Sequence, residues 1–309
     1  MLSPAALALC VALSGQGVQP RPPIRHDVVV DGHHLAVWEK RPAQPRAAML
    51  LVHGRTWSSL PNFDLQVAGE RRSMMDLLND AGLDTYAVDL RGYGATPRDA
   101  TGWLTPDRAV ADVRAVVDWI RASPANGRRP VYVLGFSRGS LIAAYLAQQV
   151  PEKIAGVILL GFGLDVDGRI APSDAPATAP RRKNTVDGAM SDFITPEAAT
   201  RGTVDAFVRA ALRADPIYAE WRDEQQFNGF APSKVLVPTL LVHGDLDPST
   251  PMLLEAKLFT RLGTADKAWV VFPGADHVVH LEKALPDLVR AIVWFVRRHD
   301  TTTPSTEVP

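Results

Sequence analysis

The chain of 309 residues carries 33 basic and 34 acidic side chains for a formal charge of −1, and 46% of it is hydrophobic. That is enough apolar chain for one large core, including a catalytic domain with an insertion, and the scattered charges favour neither nucleic acid nor an anionic membrane as partner. The single cysteine, Cys10, excludes an intramolecular disulfide and any zinc site of the CxxC kind.

Residues 2–13 form an apolar run followed by Ser14 and Gly15, the composition of a signal-peptide core and cleavage region. The run is too short to span a bilayer. Apart from the terminal amine it lacks the basic flank of such signals, so a secreted or periplasmic location and a cytoplasmic one both stay open. Bulky Leu9 ahead of Cys10 disfavours a lipoprotein reading. Residues 1–23 are set aside as leader and Pro-rich linker.

Two strands are expected in 26–40, around the tight-turn dipeptide Asp31-Gly32. Short apolar runs at 49–52, 85–88, 131–136 and 157–160 have the character of strands buried on both faces of a parallel sheet. Between them, 106–123 repeats Ala109, Val113, Val116, Val117 and Ile120 at helical spacing, with Thr105 as N-cap and Pro106 in the first turn. The alternation predicts an α/β fold with a mostly parallel central sheet and helices on both faces.

From 163 to 234 the alternation lapses into a stretch rich in Pro, Ala, Asp and Arg, then helical patterns near 196–213 and 216–226. This is too long for a plain connection and is read as an inserted helical cap. Strand and helix patterns resume at 238–242, 251–261, 268–272 and 281–297, so the core comprises 24–162 and 235–299. The polar, Thr- and Pro-rich residues 300–309 are expected to be disordered.

Gly135-Phe136-Ser137-Arg138-Gly139 matches G-x-S-x-G. The five letters recur by chance in turns, but here an apolar strand precedes them and an apolar helix, 141–149, follows. A sharp strand-to-helix turn lifts the serine above the sheet edge and needs small neighbours at 135 and 139. A serine hydroxyl is a weak nucleophile unless a base takes its proton.

In this architecture a carboxylate and then a histidine should follow on loops after late strands. Asp245 and Asp247 follow the strand ending at 242, and His277 and His280 follow the strand ending at 272. Asp245 sits so near its strand end that bonding turn amides is its expected role, which favours Asp247. Asp165 is a third, weaker candidate. His280 falls where the last helix begins, which favours His277 as base. Two backbone donors are needed for the oxyanion: the amide of Arg138, and that of Arg55 (or Thr56) in the loop after 49–52. His53 is expected to brace that loop.

Taken in order, His53-Gly54, Asp89-Leu90-Arg91-Gly92-Tyr93-Gly94, the Ser137 elbow, Asp247 and His277 resemble the α/β-hydrolase superfamily over roughly 27–298. The resemblance implies a serine hydrolase acting on a small carboxylic ester or amide through an acyl-enzyme, without metal or organic cofactor. It also implies structural roles for Asp89, Arg91, Gly92 and Gly94. Serine at the elbow argues against the epoxide hydrolase and haloalkane dehalogenase branches, which use aspartate there. Trp57, Phe193, Phe207, Tyr218, Trp221 and Phe227 are candidates to line the substrate pocket, with packing within the cap as their alternative role. The side chains of Arg55 and Arg138 are expected in solvent rather than on an anionic substrate group. Other chemistry on the same triad (aminopeptidase, carbon-carbon hydrolase, perhydrolase, lyase) and a non-catalytic receptor are the rival readings, and the oligomeric state is left open.

Overall fold

In the computed structural model, which describes residues 21–299, an antiparallel hairpin of β1 (Ile24–Val30) and β2 (His33–Lys40) opens the described chain. Its turn, Asp31-Gly32, has positive φ at both residues, 50° and 76°, the conformation that suits the right-handed twist of a two-residue hairpin. The leader and tail readings of 1–20 and 300–309 lie outside the described residues.

The chain continues through β3 (Ala47–Val52), α1 (Ser59–Phe63), α2 (Met74–Asp80), β4 (Leu83–Val88), β5 (Trp103–Leu104), α3 (Pro106–Ala122), β6 (Val131–Phe136), α4 (Arg138–Gln149) and β7 (Gly156–Leu160). After a long connection holding α5 (Val186–Met190), α6 (Arg201–Ala214) and β8 (Glu220–Trp221), it completes with β9 (Thr239–Gly244), α7 (Met252–Arg261), β10 (Lys267–Phe272) and α8 (Leu285–Arg297). One sheet has the order β1-β2-β4-β3-β6-β7-β9-β10. Only the β1–β2 and β2–β4 pairings are antiparallel.

Strand periodicity explains the two core layers. Ala48, Leu50 and Val52 of β3 join the apolar cluster that holds α3 and α4, while Ala47, Met49 and Leu51 join the opposite cluster with α1, α2 and α8. Successive side chains point to opposite faces, so a strand covered on both sides reads as an unbroken apolar run. Helix α3 starts as its sequence requires: Thr105 Oγ1 accepts the Arg108 amide and Pro106 occupies the first turn.

The expected helix over 216–226 is corrected. Residues Glu220 and Trp221 instead pair in parallel with Trp103 and Leu104, Asp223 takes a left-handed φ of 54°, and a 3-10 turn runs only over Glu224–Gly229. Tertiary partners override the local pattern there: Tyr218 N donates to Arg182 O at 2.8 Å and Trp221 Nε1 to the Tyr93 hydroxyl at 2.7 Å. The parallel strands β3, β6, β7, β9 and β10 end along one sheet edge, and their following loops carry the residues singled out for chemistry.

Candidate functional site

Ser137 lies between the last residue of β6 and the first of α4, at φ 53° and ψ −117°. A serine with positive φ stores on the order of 1–3 kcal/mol of strain, so neighbouring structure must hold it. Its amide donates to Leu160 O at 2.8 Å, and its carbonyl accepts the Ser140 amide at 2.9 Å and the Ser140 hydroxyl at 2.6 Å. A Cβ on Gly135 would stand 2.0 Å from Gly139 O, and one on Gly139 would stand 2.1 Å from Val52 O. Both glycines are thus fixed by close backbone approach.

The loops after β9 and β10 meet beside the elbow. His277 Nδ1 and Asp247 Oδ2 are 2.7 Å apart, and the imidazole packs on Phe136 with ring centroids 5.0 Å apart. Gly161, just past β7 at φ 65°, leaves room for both: a Cβ there would come within 3.3 Å of His277 Cε1 and 3.7 Å of Asp247 Oδ2. Burial acts to raise the Asp247 carboxyl, but hydrogen bonds and charge from His277, with the Ser249 amide at 2.8 Å, hold it below the ordinary carboxylate range. Among the described residues, His277 Nε2 makes no hydrogen bond, and neither does Ser137 Oγ. Catalytic hydrogen bonds commonly tighten only once substrate is bound.

The competing residues are occupied elsewhere. Asp245 Oδ1 accepts the Gly274 amide at 2.7 Å, the turn role expected of it. Asp165 pairs with Lys257 at 3.3 Å. His280 is 0% exposed, lies over Phe136 at 4.3 Å and meets Asn62 Oδ1 at 3.2 Å. Burial, with the charge of His277, drives its pKa down to about 3.

The loop after β3 is braced as expected. His53 Nδ1 bonds Gly54 O at 2.8 Å, which leaves Nε2 to accept the Leu90 amide at 3.1 Å. This fixes a neutral tautomer, and burial lowers the imidazole's pKa in agreement. Asp89 serves the same frame by accepting from Ser59 N, Trp38 Nε1 and Ala95 N at 2.9–3.0 Å, and Arg91 makes two 2.7 Å bonds to Asp112.

The expectation that the Arg55 and Arg138 side chains both reach into solvent is corrected for Arg138, which is 13% exposed, while Arg55 stays 38% exposed. Glu224 of the β7–β9 connection takes Arg55 Nη1 at 2.8 Å and Arg138 Nη1 at 2.7 Å. The Arg138 guanidinium also stacks on Trp221 and Phe227, 5.5 and 5.4 Å from their ring centroids. Of the candidate lining residues, Phe207 and Phe227 are buried at 0% and 1% exposure, and their role is packing. Phe207 is edge-on to both Trp57 and Phe193, while Tyr218 receives a 2.9 Å bond from Arg55 Nε and Trp221 bonds Tyr93.

Three carboxylates of the connection escaped sequence reasoning because nothing local marks them. Glu224 is one. Asp215 accepts Ser58 N, Ser58 Oγ and Gly94 N at 2.7–2.8 Å, and burial, opposed by those bonds, raises its pKa to about 6. Asp192 stands against His277 and the Trp57 indole, with burial likewise raising it to about 6.

Residues 43–284 match the family model described as serine aminopeptidase, S33, a hydrolase family. The chain belongs to the serine aminopeptidase S33 family. It is accordingly a serine hydrolase of the α/β-hydrolase fold, as its motifs implied. The chain is 25% identical over 248 residues to a monoacylglycerol lipase of Mycolicibacterium smegmatis, covering 77% of this chain and 83% of that protein. Among solved structures, a serine hydrolase involved in carbazole degradation superposes with a TM-score of 0.67 at 18% identity, over 89% of this S33 chain and 99% of its own. A monoacylglycerol lipase of Paleococcus ferrophilus gives 0.58 at 22% identity, over 84% and 98%. No helix among the described residues of this S33 hydrolase is long and apolar enough to cross a membrane.

Proposed function

We propose that the protein hydrolyses a carboxylic ester through an acyl-enzyme, with Ser137 as nucleophile, His277 as general base and Asp247 as the acid that orients it. The observation carrying this reading is the 2.7 Å contact of His277 Nδ1 with Asp247 Oδ2, beside a serine held at φ 53° on a strand-to-helix elbow. A carboxylate on Nδ1 keeps the proton there and leaves Nε2 as the base.

As Nε2 takes the Ser137 proton, Oγ attacks the ester carbonyl. The amides of Arg138 and Arg55 receive the oxyanion, helped by the N-terminus of α4. His277 then gives its proton to the leaving alcohol, and a water repeats the sequence to free the acid. Residues 163–234 act as the cap, with the partly exposed Phe193 and Tyr218 at the substrate, while Trp57 and Trp221, 3% and 6% exposed, pack beneath them. The monoacylglycerol lipase relative supports an acyl ester of a small alcohol as substrate class. The family's description raises aminoacyl substrates, but two guanidiniums beside the elbow repel the α-ammonium that those carry, which favours the ester.

Fluorophosphonate labelling with peptide mapping, beside turnover of acyl esters and aminoacyl arylamides, tests the reading. The label should fall on Ser137, and Ser137→Ala should abolish ester turnover. A label on another residue, or a Ser137→Ala protein that still turns over, overturns the assignment; faster cleavage of arylamides overturns the ester.

A further inference from the structure

Charge beside the elbow does not balance. Arg55 follows β3 and Arg138 opens α4, so both side chains leave the segments proposed to supply the oxyanion amides. Glu224 binds one guanidinium with each carboxylate oxygen, Arg55 at 2.8 Å and Arg138 at 2.7 Å. Among the described residues no other carboxylate is ion-paired with either arginine. The remaining partners are neutral: Tyr218 hydroxyl for Arg55, and the rings of Trp221 and Phe227 for Arg138.

Two cations thus share one anion: the Arg138 side chain is 13% exposed, while that of Arg55 is 38% exposed and meets solvent in part. Burying an unmatched charge is costly, and ring faces compensate it only in part. Burial pushes the Arg138 guanidinium below its usual range, Arg55 adds to this, and Glu224 only partly opposes it. Such an arrangement is stabilised by a second anion. Stacking on Trp221 and Phe227 also holds the planar fork ready for one.

We propose that Arg55 and Arg138 form an anion-binding subsite beside Ser137, taking a carboxylate or phosphate group carried by the substrate; the proposal rests on the ester-hydrolase reading and narrows its substrate class. In this placement the leaving alcohol faces His277 and the acyl portion extends toward the arginines. Half-esters of short dicarboxylic acids carry their charge on that acyl portion. A phosphate on the alcohol is the other source of the same charge.

The test compares kcat/KM of the full chain for mono-4-nitrophenyl adipate and 4-nitrophenyl hexanoate, which differ by one terminal carboxylate. A second pair, butyrylglycerol phosphate and butyrylglycerol, puts the charge on the alcohol. The adipate half-ester should be preferred by about tenfold or more, with the preference falling as salt rises. Arg138→Gln and Arg55→Gln should bring the ratio close to one, and any general loss of activity cancels in it. Glu224→Gln, which frees both guanidiniums, should increase it. Preference in the phosphate pair alone assigns the charge to the alcohol and overturns the acyl placement.

Adipate binding to Ser137→Ala by calorimetry reads the subsite without turnover, and adding Arg138→Gln should weaken it about tenfold or more. A ratio near one, unchanged by the arginine variants, overturns the subsite while ester hydrolysis stands. Failure of every ester to turn over, with adipate still bound, overturns the hydrolase reading instead.

Discussion

Asp276, which precedes His277 in the chain, and Glu282 form a buried carboxyl pair, at 0% and 1% exposure. Their side chains are hydrogen-bonded to each other, and Glu282 also accepts the Asp276 amide at 3.1 Å. Asp276 in turn accepts the amides of Ile194 at 3.0 Å and Thr195 at 2.5 Å, which ties the histidine loop to the β7–β9 connection. Burial first, then the hydrogen bond and charge of Asp276, raise Glu282 to about 9, so it is the protonated partner. On Asp276 burial acts upward, but the bond from Glu282 and the backbone amides outweigh it and keep the group ionised.

This pair makes stability depend on pH with a definite sign. A carboxyl raised from 4.5 to about 9 on folding binds its proton more tightly in the native state. Its contribution is complete below 4.5, declines as pH rises above that value, and is gone once pH passes about 9. Glu282→Gln keeps a donor for Asp276 and removes the titration. Urea melts from about pH 5 to about pH 9 should therefore show a flatter decline for the variant than for the parent. Glu255, 0% exposed and raised to about 9 by burial and then by Asp247, adds a second decline in the same window. The Glu255→Gln, Glu282→Gln double variant should be flatter still, and unchanged slopes would refute this account.

The two aspartates after β9 should separate cleanly by activity. Asp247 bonds His277 Nδ1, whereas among the described residues the Asp245 side chain bonds only the exposed Gly274 amide. Asp247→Asn leaves the fold intact but removes the charge that fixes the imidazole, and should lower kcat/KM by about 10³–10⁴-fold. Asp245→Asn should stay within about threefold of the parent. A large loss for Asp245→Asn with a small one for Asp247→Asn would reverse the assignment.

Alanine at either elbow glycine should be disruptive. The added Cβ would meet backbone at 2.0 Å for Gly135 and 2.1 Å for Gly139, and neither Gly139 O nor Val52 O can swing aside like a flexible side chain. Each variant should lose about 3 kcal/mol or more of stability, and fluorophosphonate labelling of whatever folds should slow sharply. Gly274→Ala provides the comparison: nothing lies within 4 Å of its added Cβ, so only the cost of its φ of 71° remains, about 1–2 kcal/mol. Denaturant melts rank the three, and equal destabilisation would show that backbone approach is not what fixes the elbow glycines.

What the sequence alone determined here is local. Strand runs, the Thr105-Pro106 helix start, the Asp31-Gly32 turn and the Ser137 elbow are each encoded within a few residues, because strand burial, capping and turn conformation depend on near neighbours. His277 and Asp247, proposed as base and acid, are legible as candidates for the same reason, as turn residues at the ends of recognisable strands. The tertiary structure decided the rest. Asp215 reaches Ser58 across 157 residues of chain, and Glu224 joins two arginines from separate loops. Polar pairing of that kind leaves no periodic trace in sequence, since either partner reads as a solvated charge until the fold brings the two together and takes the water away.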